Sequence, residues 1–262
     1  MTVPRHLREV LSRAPASAEP GRGTPVRPAL GTFLKIGHPD VPALLALAGF
    51  DFVVIDMEHA PLGPAEVHLL IGAALGAGLP PLVRVPDHSA STIGRVLDSG
   101  AHGVLVPHVS TAGQAAAMVA AARLPPHGTR GYGPTVRAGA YGSDTAGYRE
   151  GAAEALVIPQ IEDPEGVAAS ADILATPGID HAFVGAADLA ASTGLHPDTP
   201  EFTALLKTVR DAAESAGTGL GTAVGAQGPP RPPPGLEPAS FLAVSNDASL
   251  LLTAGRSITT HG

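Results

Sequence analysis

At 262 residues, 44% of them hydrophobic, the chain is long enough for one large α/β domain. A formal net charge of −8 with no run of Lys and Arg argues against nucleic acid as a partner. The lack of cysteine excludes disulfides and thiolate metal ligands. The N-terminus has no apolar signal core and no stretch of about 18 apolar residues occurs, so a cytoplasmic protein with no membrane partner is expected.

A short helix is expected before residue 13. Residues 13–30, RAPASAEPGRGTPVRPAL, are rich in Pro and Gly and read as a linker. Residues 1–30 are thus an N-terminal helix plus linker, and 31–262 the main domain. Eight short apolar runs follow, at 31–37, 51–58, 81–85, 103–109, 155–162, 181–188, 220–224 and 241–245. They are continuous rather than alternating, as strands covered on both faces are. Helical stretches separate most of them: VPALLALAG, PAEVHLLIGAALGAG, SASTIGRVLDSG, TAGQAAAMVAAARL, DPEGVAASADILA and PEFTALLKTVRDAAESAG. Ser89 is a capping residue, and Gly78 and Gly100 are stops. Strand then helix, repeated about eight times, predicts an α/β fold, a (β/α)8 TIM barrel with a short N-terminal helix and a C-terminal helical segment. An open doubly wound sheet competes, but no glycine-rich dinucleotide fingerprint follows a strand. Two connections stand out. Residues 124–150 form a long link of the kind that tends to be functional. The Pro-rich 225–238 occupies the place of the helix between strands seven and eight, which prolines would break.

In such a barrel the chemistry sits at the carboxyl ends of the strands. The second strand, VVIDMEHAPLG, ends in Asp56, Glu58 and His59; the third carries Arg84; the fourth ends at His108. The fifth ends Gln160-Ile161-Glu162-Asp163 and the sixth Gly185-Ala186-Ala187-Asp188. Glu162 and Asp188 suit a hard divalent cation, which takes oxygen ligands. Arg84 can hold a carboxylate or a developing enolate oxygen, and His59 can move protons near neutral pH. Blander readings remain open: Asp188 as a helix cap, Glu162 as a solvated loop carboxylate, Arg84 paired on the surface with Asp87 or Asp98, and His59 as a turn residue. His88, His102, His108 and His127 are read as structural or surface.

Six ordered motifs carry a resemblance. GFDFVVIDMEHAPLG, PLVRVP, RVLDSGAHGVLVPHVSTAGQA, ARLPPHGTRGYGP, VIPQIEDPEGV and GIDHAFVGAADLAASTG together resemble the HpcH/HpaI aldolase family, from about residue 31 to residue 194, with an echo at FLAVSNDASLLL. The resemblance implies a (β/α)8 barrel and a metal-dependent (class II) pyruvate aldolase, a carbon–carbon lyase. A divalent ion (Mg²⁺, Mn²⁺ or Co²⁺) would sit on Glu162 and Asp188. Arg84 would contact the keto or enolate oxygen, and Gln160 would line the site with Asp56. Backbone amides at Ala186 and Ala187 would bind the substrate carboxylate. His59, oriented by Asp98, would shuttle the proton. The implied partners are a small 2-oxo acid, an aldehyde and other copies of the chain, as a dimer or hexamer. Oxaloacetate decarboxylation, or a carbon–carbon bond formation like that of macrophomate synthase, is the alternative use of the same enolate. The chain departs from the usual Gly-Pro-x-Asp of the sixth strand, reading Gly185-Ala186-Ala187-Asp188.

Overall fold

The computed structural model describes residues 6–12 and 27–259. Eight parallel strands close into a barrel in sequence order: β1 (Ala29–Leu34), β2 (Phe52–Asp56), β3 (Pro81–Arg84), β4 (Gly103–Val106), β5 (Leu156–Ile161), β6 (His181–Val184), β7 (Gly219–Val224) and β8 (Phe241–Asn246). The fold is the expected (β/α)8 TIM barrel. None of the described helices is long and apolar enough to cross a membrane.

Side-chain alternation divides each strand between two cores. Val53 and Ile55 of β2 point outward and pack with Val67, Leu70, Ile71 and Ile93 of the helix layer. Phe52 and Val54 point inward, into a second core with Leu82, Leu105, Leu156, Ile158, Phe183 and Phe241. Burial of each large apolar side chain contributes about 1.5–3 kcal/mol. The interior is filled by pairing large residues with none: a Cβ at Gly31 would strike the Phe52 ring, and one at Gly221 the Phe241 ring. The same period carries Asp56, Arg84 and Gln160 inward, two residues above Val54, Leu82 and Ile158, at the carboxyl end of the barrel.

The ring comprises α2 (Asp40–Leu47), α3 (Pro64–Gly76), α4 (Ala90–Asp98) and α5 (Ala112–Ala122) after the first four strands. Ser89 caps α4, its hydroxyl accepting from Thr92 N at 3.4 Å, and Gly100 ends the turn with φ +96°. Thr111 and Gln114 form a capping box on α5. An N-terminal helix, α1 (Leu7–Leu11), closes the amino end of the barrel, where Leu7 and Leu11 join the inner core and are buried. Residues 13–26 of the proposed linker lie outside the described residues.

Several boundaries differ from expectation, the first strand among them, which spans Ala29–Leu34 rather than 31–37. The sixth strand stops at Val184, not 188: Gly185 is the N-cap of a new helix, α9 (Ala186–Thr193). The fourth likewise stops at Val106 rather than 109. The 124–150 link is not a plain loop. It holds a 3-10 turn at Arg137–Gly142 and the start of helix α6 (Thr145–Glu154), capped by Asp144 and anchored by buried Tyr148. After β5 come α7 (Pro164–Ala168) and α8 (Ser170–Leu174); after β6, α9 and α10 (Pro200–Ala216). No helix stands between β7 and β8, as the prolines predict, yet the outer face of β8 is not bare. Leu236 of that segment is fully buried in the helix-layer core, and Leu242 and Val244 are buried with Ala239, Leu30, Phe50 and Val224. The last helix, α11 (Asp247–Thr259), is different: beyond its first turn it is largely uncovered, with Leu251 68% and Ile258 78% exposed.

Candidate active site

Asp56 is the last residue of β2 and Arg84 of β3, and the strand register sets them side by side. Arg84 Nε and Nη2 donate to the two Asp56 oxygens at 2.9 and 2.8 Å, a bidentate pair. Lys35 Nζ stands 2.9 Å from Asp56 Oδ2. Asp56 is completely buried. Burial alone would raise its pKa, but the bonds and charge of Arg84, with Lys35 and the His59 amide, outweigh it and hold the carboxyl down at about 2. Asp56 also accepts the backbone N–H groups of Glu58 and His59, at 3.1 and 3.2 Å. It therefore shapes the turn that carries those two side chains. Arg84 reaches on through Nη1 to Glu58 Oε2 at 3.1 Å and lies over the Phe33 ring, 4.6 Å from its centroid.

The other half of the site comes from β4 and β5. Glu162 is buried just past β5, where Gln160 Nε2 donates to its Oε2 and the His108 amide donates to its Oε1 at 2.7 Å. Burial pushes the Glu162 carboxyl up, and the charge of Asp188 adds to that; Gln160 and His108 pull it back. His108 Nδ1 is 2.8 Å from Glu162 Oε1, and its Nε2 is 3.4 Å from Glu58 Oε1. Glu58, His108 and Glu162 thus each bring one donor atom within 4.8 Å of the others. Gln160 Oε1 is buried there without a hydrogen-bond partner, and Glu58 Oε2 is held by its ion pair with Arg84. Carboxylate oxygens and imidazole nitrogen are the donors of divalent-metal sites, so the residues fit a dication.

Most of the sequence-predicted residues converge here. His59 is exposed on the turn after β2, its Nε2 3.9 Å from Glu58 Oε2. Asp188 lies in the first turn of α9, exposed and near enough for its charge to act on Glu162. Ala186 and Ala187 open that helix, where backbone N–H groups lack intrahelical acceptors. Arg84 is not the surface ion pair of the blander reading: its partners are Asp56 and Glu58. Asp98 is the exception. It ends α4, which runs back from the carboxyl end of β3 to the opposite end of the barrel. There its Oδ1 accepts from Arg130 Nη2 at 2.6 Å and from the Tyr148 hydroxyl at 2.9 Å. Within this chain it cannot orient His59. The site also includes Glu58, to which the sequence assigns no role, and His108, which reads from sequence as structural or surface although it follows a strand end just as His59 does.

A strand-end cluster of buried carboxylates, an arginine and imidazoles stands on this (β/α)8 barrel where enzymes of that fold carry their active sites. A model of the HpcH/HpaI aldolase/citrate lyase family matches residues 29–226, and the chain belongs to that family. It is accordingly an enzyme of the carbon–carbon lyase kind. It is 41% identical over 184 residues to the 4-hydroxy-2-oxovalerate aldolase of Novosphingobium aromaticivorans, covering 70% of each chain. It is 37% identical over 202 residues to the hydroxypyruvate/pyruvate aldolase of Paraburkholderia phytofirmans, covering 74% of this chain and 78% of the relative. Among solved structures, an HpcH/HpaI aldolase/citrate lyase family protein from Burkholderia cenocepacia superposes with a TM-score of 0.80. That pair is 34% identical, over 90% of this chain and 94% of the other.

Proposed function

We propose that the chain is a metal-dependent aldolase that makes or breaks the carbon–carbon bond between the enolate of pyruvate, or a related 2-oxo acid, and an aldehyde. The observation that carries this is the buried Asp56–Arg84–Glu58 chain of charges set against Glu162 at one mouth. A divalent ion held by Glu162 and Asp188 would act there as a Lewis acid toward the oxygens of the 2-oxo acid. Arg84 offers positive charge where the enolate develops, and its guanidinium has more N–H donors than its contacts with Asp56 and Glu58 use. Asp56 holds that guanidinium in place. The amides of Ala186 and Ala187 bind the substrate carboxylate, and Gln160 fixes the orientation of Glu162. His59 takes the hydroxyl proton of the aldol during cleavage and returns it during synthesis, with Glu58 rather than Asp98 beside its ring.

Lys35 is not a Schiff-base candidate in this reading, because its ammonium is paired with buried Asp56. Aldol chemistry is favoured over oxaloacetate decarboxylation because the curated relatives bear aldolase names. The test is a screen of aldehydes with pyruvate in the presence of Mg²⁺, Mn²⁺ or Co²⁺. Adduct formation that disappears with EDTA supports the proposal. Turnover that survives complete chelation contradicts it.

A further inference from the structure

We infer that His108 is a metal ligand, adding a nitrogen donor, with Glu58 on its other side, to the ion held by Glu162 and Asp188, so that this centre prefers a transition dication such as Zn²⁺ to Mg²⁺. The inference rests on the metal centre proposed above and deepens it.

The backbone makes the first argument. His108 has φ +55°, a left-handed conformation that a non-glycine residue adopts at a cost of about 1 kcal/mol or more. The turn is fastened from behind, where His88 Nε2 lies 2.6 Å from the Pro107 carbonyl oxygen. Its effect is to fold the His108 ring back over the mouth, with Nδ1 toward Glu162 and Nε2 toward Glu58. Packing does not explain that placement, since the His108 side chain is 67% exposed.

The donor set makes the second argument. The ligand atoms of Glu58, His108 and Glu162 already lie within 4.8 Å of one another. The Glu58 side chain is nine-tenths buried; Arg84 holds its Oε2 from one side, which leaves Oε1 facing His108 Nε2 at 3.4 Å. Carboxylates and an imidazole form a mixed oxygen–nitrogen set. Imidazole suits Zn²⁺, Ni²⁺, Cu²⁺ and iron, whereas Mg²⁺ keeps to oxygen. A nitrogen at this position therefore sets which ion the centre holds.

The experiment strips the full-length protein of metal and titrates it calorimetrically with Zn²⁺ and with Mg²⁺, beside His108→Gly and His108→Asn. Both replacements tolerate a positive φ, so melting temperatures should be kept or raised. Removal of the donor should weaken Zn²⁺ binding by about tenfold or more, the scale of losing a ligand-supporting contact at the least, and leave Mg²⁺ binding unchanged. Electron spin-echo spectra of the Mn²⁺-loaded protein should show imidazole nitrogen modulation in the wild type and none in the variants. Equal losses for both ions, no loss for either, or a wild type without nitrogen modulation would overturn the assignment while leaving the metal centre intact. A wild type that binds no divalent ion would overturn the centre itself.

Discussion

Asp56→Asn is the substitution whose effect the structure defines most closely. The carboxylate is fully buried, accepts two bonds from Arg84 and one contact from Lys35, and keeps almost its shape as an amide. Its pKa falls from 3.8 to about 2 on folding, and a difference of that size corresponds to roughly 2 kcal/mol. Because the folded value lies below the unfolded one, this stabilisation is fully present above the unfolded pKa. It is lost as the pH falls through the folded pKa, and about half should remain near pH 3. Breaking a buried pair by removing one partner costs about 3–5 kcal/mol, an upper bound here because Arg84 keeps Glu58. The variant should therefore be about 2–3 kcal/mol less stable at pH 7, and melt roughly 5–10 °C lower for a chain of this size. Urea unfolding of both proteins at pH 7 and pH 3 measures the gap directly. Equal stability at pH 7, or a gap that fails to narrow at pH 3, would refute the view that the buried charge pair sustains this end of the barrel.

Glu162→Gln or Asp188→Asn should abolish aldol activity and weaken divalent-metal binding, since neutral ligands hold a hard dication poorly; titration of Mg²⁺ or Mn²⁺ alongside turnover checks both. Arg84→Lys should lower kcat roughly a hundredfold, the loss expected for one oxyanion donor. It should also depress the melting temperature by several degrees, because a single ammonium cannot reach Asp56 and Glu58 as the planar fork does. Light scattering at micromolar concentration should find a homo-oligomer built on a dimer, because α11 exposes Leu251, Leu252 and Ile258 and a helix of 13 residues is marginal without a covering partner. An active monomer of 26.2 kDa would contradict that.

The barrel was legible because its strands are dense in Val, Ile and Leu and its helices begin and end on readable residues such as Ser89 and Gly100. The site was legible where the period of two carries polar residues inward at a strand end, as for Asp56, Arg84 and Gln160. Helix α6 was hidden because its residues, Thr145–Glu154, show no apolar period and rest on Tyr148 and Ala152 alone. His108 was hidden because its reach depends on a positive φ that no hydrophobic pattern announces. Asp98 shows what a motif leaves out. The motif marks it, but the direction of α4 carries it away from the mouth, to Arg130 and Tyr148.

Helix α1 makes the first strand a poor place to begin the protein. Leu7, Val10 and Leu11 act as a stopper: they seal the floor of the tube, where Leu156 and Phe241 begin their strands and otherwise would meet water from below. A chain trimmed to start at residue 27 would keep every group at the mouth and still leak at its base. Its deficit would appear in heat tolerance and hydrogen exchange of the β5 and β8 amides before it appeared in turnover. The segment ahead of the barrel thus belongs to the barrel's interior, and shortening it would wet a surface that lies a whole strand length away from the chemistry.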